Sequence, residues 1–292
     1  MRVIRADVMG MCFGVRDALK VIGSEARPQD VTIHGQLVHN ERVLVELEHR
    51  GFAMNGESDR AGVPATPTVL ITAHGISERE RKRLEQAGKT LVDTTCPLVT
   101  RVHQAALSLQ SEGYHVLLIG RPGHVEVQGI VEDLVSYHVV PSEESAESYP
   151  FPKLGVICQT TAASRNVEKV RAAIVAKNPQ AEIKFVDTVC LPTKEHQRSL
   201  DRLLEEVDVM VVVGGRNSNN TRELVTLSTE RGVPAYHVQG ASDLDAGWFD
   251  AVETVGLTAG TSTLDETIDE VYAALLQLSA ASRRSETLLS RS

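Results

Sequence analysis

The chain has 292 residues, 42% of them hydrophobic and 24% charged, with a formal net charge of −9. That length exceeds one ordinary domain core and predicts two or three α/β units packed without a long linker. The acidic balance argues against a binder of nucleic-acid backbones, which would carry a basic patch or stripe; the short basic clusters at Arg79–Lys82 and near the C-terminus read as solvated faces or a tail.

The first residues, Met1 to Met9, lack the long apolar core of a signal peptide, and no apolar run approaches a membrane span, so a soluble, cytoplasmic protein is expected. They read as a short strand. Cys12 follows in Met-Gly-Met-Cys-Phe-Gly, and a helix begins near Val15, with Ala18, Leu19 and Ile22 at helical spacing. Val31–His34 reads as a strand running into a loop that carries His39 and Asn40, with a helix over Arg42–His49. Thr68–Ala73 is a near-continuous apolar strand of the buried parallel kind, ending in His74 and Gly75.

The β-branched run Thr90, Val92, Thr94 ends at Cys96, Pro97 follows, and Leu98, Val99, Val102, Ala105, Ala106 and Leu109 repeat with helical period. Proline is well tolerated at the first helical position, so Cys96 sits where a strand stops and a helix starts. The positive end of a helix dipole there favours the thiolate, the form that binds metals. Next come a strand over His115–Ile119, a loop with His124 and Glu126, a helix through Leu134 and a weaker strand at Ser136–Val140. A polar stretch, Pro141–Pro152, reads as a surface connection before the strand Lys153–Cys158, the loop Gln159-Thr160-Thr161 and a helix over Asn166–Ala176. Glu182–Val186 leads to a third strand–cysteine–helix junction at Cys190, with Pro192 just inside the following helix.

The last third offers an apolar strand from Val207 to Val213, the loop carrying Ser218, Asn219 and Asn220, and a helix to about Arg231. Strands at Ala235–Val238 and Val252–Leu257, the loop Thr258–Ser262 and a helix over Asp265–Leu278 complete it. The junction cysteines fall at similar intervals, which predicts three α/β modules: 1–96, 97–189 and 190–280, with a polar tail over 281–292. In open parallel sheets functional groups collect beyond the carboxyl ends of the strands, so these loops are expected to line one cleft.

Four widely separated cysteines in such a chain point to reduced, catalytic or metal-bound thiols rather than a disulfide framework. Cys158 lies within a strand and reads as a small core hydrophobe. Cys12, Cys96 and Cys190 share one topological position. Three thiolates without a CxxC pair are an unusual zinc set, whereas around an iron–sulfur cluster they leave one iron open to substrate. His34, His39, His74 and His124 read singly as loop histidines or as ligand contacts. Spacing alone leaves Glu126 open between a proton donor and a first-turn glutamate favoured by the dipole. The loops at Ser218–Asn220 and Thr258–Ser262 can bind phosphate through hydroxyls, amides and backbone N–H groups, or serve as plain helix caps.

Gly10-Met-Cys12-Phe-Gly-Val-Arg-Asp-Ala18, Leu37-Val-His39-Asn40, Ala73-His74-Gly75, Asp93-Thr-Thr-Cys96-Pro97, Gly123-His124-Val-Glu126, Gln159-Thr160-Thr161, Thr188-Val-Cys190, Asn217-Ser218-Asn219-Asn220-Thr221 and Thr258-Ala-Gly-Thr-Ser262 occur in order. Together they resemble the motif set of the IspH/LytB family of hydroxymethylbutenyl diphosphate reductases. The resemblance implies a three-module α/β trefoil around a 4Fe-4S cluster held at Cys12, Cys96 and Cys190. It also implies the last step of the non-mevalonate isoprenoid pathway, with Glu126 supplying a proton and Thr160 positioning the hydroxyl arm. His39, His74, His124, Ser218, Asn219, Asn220 and Ser262 would hold the diphosphate, and an external donor such as ferredoxin or flavodoxin would supply electrons. Asn219, His196 and Leu264 depart from the usual serine, arginine and proline, which keeps a different allylic diphosphate in view. A non-catalytic iron–sulfur sensor and a zinc hydrolase are the readings from other classes; the missing HExxH or CxxC disfavours the second.

Overall fold

The computed structural model describes residues 1–56 and 60–289, with side chains to residue 280. The chain opens with β1 (Arg2–Arg5) and α1 (Phe13–Gly23), then β2 (Val31–His34), α2 (Glu41–His49), β3 (Ala53–Asn55), β4 (Thr68–Ile71), α3 (Glu78–Gln86) and β5 (Thr90–Asp93). α4 (Pro97–Ser111), β6 (His115–Ile119), α5 (Val125–Val131), β7 (Tyr137–Val140), β8 (Lys153–Cys158), α6 (Ser164–Lys177) and β9 (Glu182–Phe185) follow. The last section holds α7 (Leu191–Leu203), β10 (Val209–Val213), α8 (Asn219–Glu230), β11 (Ala235–Val238), β12 (Thr254–Ala259) and α9 (Asp265–Leu289).

Among the described residues these strands form three four-stranded sheets, in the orders β3-β2-β4-β5, β7-β6-β8-β9 and β1-β12-β10-β11, and every pairing is parallel. Three mainly parallel α/β modules are what the strand–cysteine–helix repetition led us to expect. The inner strands β6 and β10 are buried along their whole length, as the apolar runs Val116–Ile119 and Val209–Val213 require once helices cover both faces. The two-residue period divides their contacts. In the second sheet Leu117, Ile119, Leu154, Val156 and Cys158 face a core closed by Val167, Val170 and Ile174 of α6, while Val116, Leu118 and Ile157 face Val102, Ala106 and Leu109 of α4. Cys158 is fully buried there, a core residue as its mid-strand position indicated.

Three readings differ from the sequence expectation, and one helix, α3, carried no pattern by which to read it. β1 pairs with β12, Arg2 opposite Thr254 and Arg5 opposite Leu257, so the first strand joins the sheet of the last third rather than a module spanning 1–96. Periodicity identifies a strand but not its partner. The chain accordingly divides into two compact units, Met1–Cys12 with the chain from Leu191 onward, and Phe13–Cys190. The polar stretch 141–152 is not purely surface: Ala146 and Tyr149 reach the core, fixed by Lys177 Nζ on the Ala146 carbonyl (2.6 Å) and by Asn178 Oδ1 accepting from Tyr149 N–H (2.8 Å). The basic cluster Arg79–Lys82 lies on α3, a helix that buries only Leu84 and shows no apolar stripe to read. The last helix runs past Leu278 to Leu289, so the expected tail over 281–292 is helical backbone to that point, and 290–292 lie outside the described residues. Among the described residues no helix is long and apolar enough to cross a membrane.

Candidate active site

Within the Phe13–Cys190 unit, the loops leaving β2, β4, β6 and β8 at their carboxyl ends carry the histidines, the glutamate and the threonine. His39 follows β2 and precedes Asn40, whose Oδ1 caps α2 by accepting from Val43 N–H (3.3 Å). His74 follows β4 and is turned by Gly75, which sits at φ +73° where an L side chain would be strained. His124 caps α5, its Nδ1 accepting from Glu126 N–H (3.1 Å), which places the ring proton of the neutral form on Nε2. The three rings converge. His39 stacks on His74 at 4.3 Å between centroids, and His124 stands edge-on to both at 5.3 and 5.7 Å. Burial, followed by the charges of His39, His124 and Arg60, holds His74 well below the ordinary imidazole range. Gln36, which no sequence motif singled out, lies 2.8 Å from His39 Nδ1 through its Oε1, and its backbone also bonds His74.

Glu126 stands in the first turn of α5, only 2% exposed. Its carboxylate does not serve its own helix. Thr160 N–H donates to Oε1 and Thr160 Oγ1 to Oε2, both at 2.7 Å. Desolvation outweighs those two bonds and pushes the carboxyl up to about 7, so the group carries a proton over much of the neutral range. The loop after β8 is braced by Gln159, whose Oε1 accepts from Arg121 N–H (3.0 Å) while its Nε2 donates to Thr161 Oγ1 (3.2 Å).

The cysteine backbones are tied to these same loops. Cys96 N–H donates to the carbonyl of Ala73, the residue before His74 (3.1 Å), and Cys190 N–H donates to that of Thr160 (2.9 Å). A chain of short contacts therefore runs from Cys190 through Thr160, Glu126, His124 and His74 to Cys96. Cys96 is the residue before Pro97 at the start of α4, partly exposed as Cys190 is. Gly14 of α1 leaves the room its thiol occupies, since a Cβ on Gly14 would lie 2.5 Å from Cys96 Sγ.

The other unit assembles its own set beyond β10 and β12. Cys12 N–H donates to the Thr261 carbonyl (3.0 Å), beside Ser262. Ser218 caps α8, accepting from Thr221 N–H (3.3 Å), and Ser218, Asn219, Asn220 and Ser262 are all buried. Neither amide atom of Asn220 has a hydrogen-bond partner among the described residues, nor has Thr221 Oγ1, a residue the loop reading passed over. Gly214 and Gly260 pack so closely on Thr221 that a side chain on either would overlap its hydroxyl. His196 is buried on α7, its Nδ1 3.2 Å from the Ala259 carbonyl, and burial holds its pKa down to about 4.

Among the described residues no group of three or more His, Cys, Asp or Glu side chains is set to hold one metal ion. A single ion gathers its donors within about 2.3 Å of one centre, whereas a cluster spreads thiolates over separate irons. Partly exposed thiols at helix starts, one with a glycine opposite its sulfur, fit the second arrangement.

The family model described as LytB protein matches residues 3–276. The 4-hydroxy-3-methylbut-2-enyl diphosphate reductase of Aquifex aeolicus is 33% identical, covering 94% of this chain and 96% of the relative, and that of Trichlorobacter lovleyi is 36% identical, covering 95% and 99%. Among solved structures, the E-1-hydroxy-2-methyl-but-2-enyl-4-diphosphate reductase of Plasmodium falciparum superposes with TM-score 0.86 at 28% identity, over 93% of this chain and 87% of that one. A structure titled (E)-4-hydroxy-3-methyl-but-2-enyl diphosphate reductase, the terminal enzyme of the non-mevalonate pathway, gives 0.64 at 34% identity, over 95% and 100%. With a family model spanning almost its whole length and sequence relatives at 33% and 36% identity over more than nine-tenths of it, the chain belongs to the LytB protein family.

Proposed function

We propose that the chain is the reductase of 4-hydroxy-3-methylbut-2-enyl diphosphate, giving isopentenyl and dimethylallyl diphosphates as the terminal step of the non-mevalonate pathway. The observation that carries the reading is the buried Glu126–Thr160 pair beside three converging histidines, in a chain that the family model matches over residues 3–276. A sensing module has no use for a carboxyl poised to carry a proton at neutral pH.

The balance of the reaction sets the tasks. The carbon–oxygen bond to the hydroxyl breaks, two electrons and two protons enter, and one water leaves with one five-carbon alkenyl diphosphate. One proton goes to the departing oxygen and the other to a terminus of the allyl unit. Cys12, Cys96 and Cys190 would hold a 4Fe-4S cluster, which when bound supplies single electrons and one open iron as a Lewis acid. Glu126 holds the proton for the departing oxygen, and Thr160 Oγ1, 2.7 Å from its Oε2, is the adjoining atom that orients the hydroxyl arm. His39, His74 and His124 donate to the diphosphate through ring N–H groups. Ser218, Asn219, Asn220 and Ser262 complete its donors, and the unsatisfied buried amide of Asn220 is what a site awaiting an anion presents. Binding the anion favours a protonated histidine among the three. Electrons come from an external low-potential protein such as ferredoxin or flavodoxin, and the cytoplasm is the compartment that suits reduced thiols.

Anaerobically purified protein given the five-carbon substrate and a viologen radical as reductant is expected to form both products. Iron-loaded protein that forms neither would overturn the reading.

A further inference from the structure

The diphosphate donors named above include no lysine or arginine, in a chain of net charge −9. Close enough to His74 for its charge to act there, however, lies a partly buried guanidinium. The Arg60 guanidinium lies against Gly35, where a Cβ would overlap its Nη2 and approach Cζ to 2.9 Å and Nε to 3.0 Å. Gly35 is at φ +103°, so glycine is required there both for backbone conformation and for room. Nε and Nη2 of Arg60 are buried.

A second network delivers Arg60 to that place. Arg83 on α3 donates to the carbonyls of Arg60 (2.9 Å), Ala61 (3.1 Å) and Gly62 (3.4 Å), and it is paired twice with Glu80, at 2.7 Å each. Glu80 Oε1 in turn lies 3.0 Å from Nε2 of the fully buried His34 at the end of β2. His34, Gly35 and Gln36 are consecutive, and Gln36 touches both His39 and His74. The guanidinium is thus fixed one residue away from the group that orients the histidine pair. Its charge is felt there, being among the causes that lower His74 and His34.

Resting on the reading that these histidines receive a diphosphate, we propose that Arg60 is the fixed cation of that site, a positioning residue that supplies the charge neutral imidazoles lack. Arginine stays ionised under all working conditions, and a charge whose Nε and Nη2 are shielded from water is screened less than one fully at the surface.

Inorganic diphosphate binding to the anaerobic holoenzyme, by calorimetry at low and high salt, tests this with Arg60→Lys and Arg60→Gln, which differ in charge at similar reach. Melting temperatures of both variants are taken alongside. We expect Arg60→Lys to bind within about threefold of wild type and Arg60→Gln about tenfold more weakly, with a shallower salt dependence. In turnover, KM for the substrate should rise in Arg60→Gln with kcat changed less. Equal affinity in the two variants, whether both high or both low, would overturn the role of the charge while leaving the reductase reading intact. A wild-type holoenzyme that binds no diphosphate would overturn the substrate reading and this proposal together.

Discussion

Replacing Glu126 by glutamine keeps the size of the side chain and an oxygen to accept from Thr160 N–H, but removes the proton. General acids contribute about 10²- to 10⁴-fold, and turnover in Glu126→Gln is expected to fall by that order while diphosphate affinity stays within a fewfold. With the carboxyl pushed up to about 7, wild-type turnover should drop about tenfold per pH unit above that value when the proton step limits. A stability signature accompanies the kinetic one. The folded carboxyl titrates near 7 against an ordinary 4.5, so the folded state holds the extra proton between those values. Stability is therefore lost as pH rises through the window from 4.5 to about 7, by at most about 3 kcal/mol. Glu126→Gln removes that loss: it should melt several degrees above wild type at pH 8 and close to it at pH 4. Product formation by stopped assay and melting followed across pH 4–9 measure both. Turnover within about threefold of wild type, or a flat difference in melting across pH, would refute the assignment of Glu126 as the proton carrier.

Gly14→Ala would drive a methyl to 2.5 Å from Cys96 Sγ; iron bound per chain should drop with little change in far-ultraviolet circular dichroism. Cys158→Ala, in the core and clasped at its backbone by Thr188, should keep its iron and lose about 1 kcal/mol in urea unfolding. Asn220→Ala removes a buried amide left without partners, a cost of about 1–3 kcal/mol, so the ligand-free protein should melt no lower than wild type while inorganic diphosphate binds about tenfold more weakly.

The sheets were legible because β10 is apolar throughout and β4, β6 and β8 are so after their first residue, the composition of buried parallel strands. α4 was legible in its proline and its apolar period. α3 was not: Glu78–Gln86 buries one leucine and is held by charge pairs, which leave no periodic trace. The partner of β1 was equally unreadable, since four residues that pair more than two hundred positions away carry no mark of where. At the site, the histidines, Glu126 and the junction cysteines stood out by type and position on strand ends. Gln36 and Arg60 did not, because their placement depends on the Gly35 turn and on Arg83 reaching three carbonyls of a distant loop. The raised pKa of Glu126 likewise follows from burial, which composition does not encode.

Whether Cys12, Cys96 and Cys190 hold a cluster is asked most directly by counting iron and acid-labile sulfide per chain after strictly anaerobic purification, beside Cys96→Ser. About four of each in wild type, lost in the variant while Cys158→Ala retains them, is the expected result. Zinc without sulfide, persisting after anaerobic reconstitution with iron and sulfide, would contradict it.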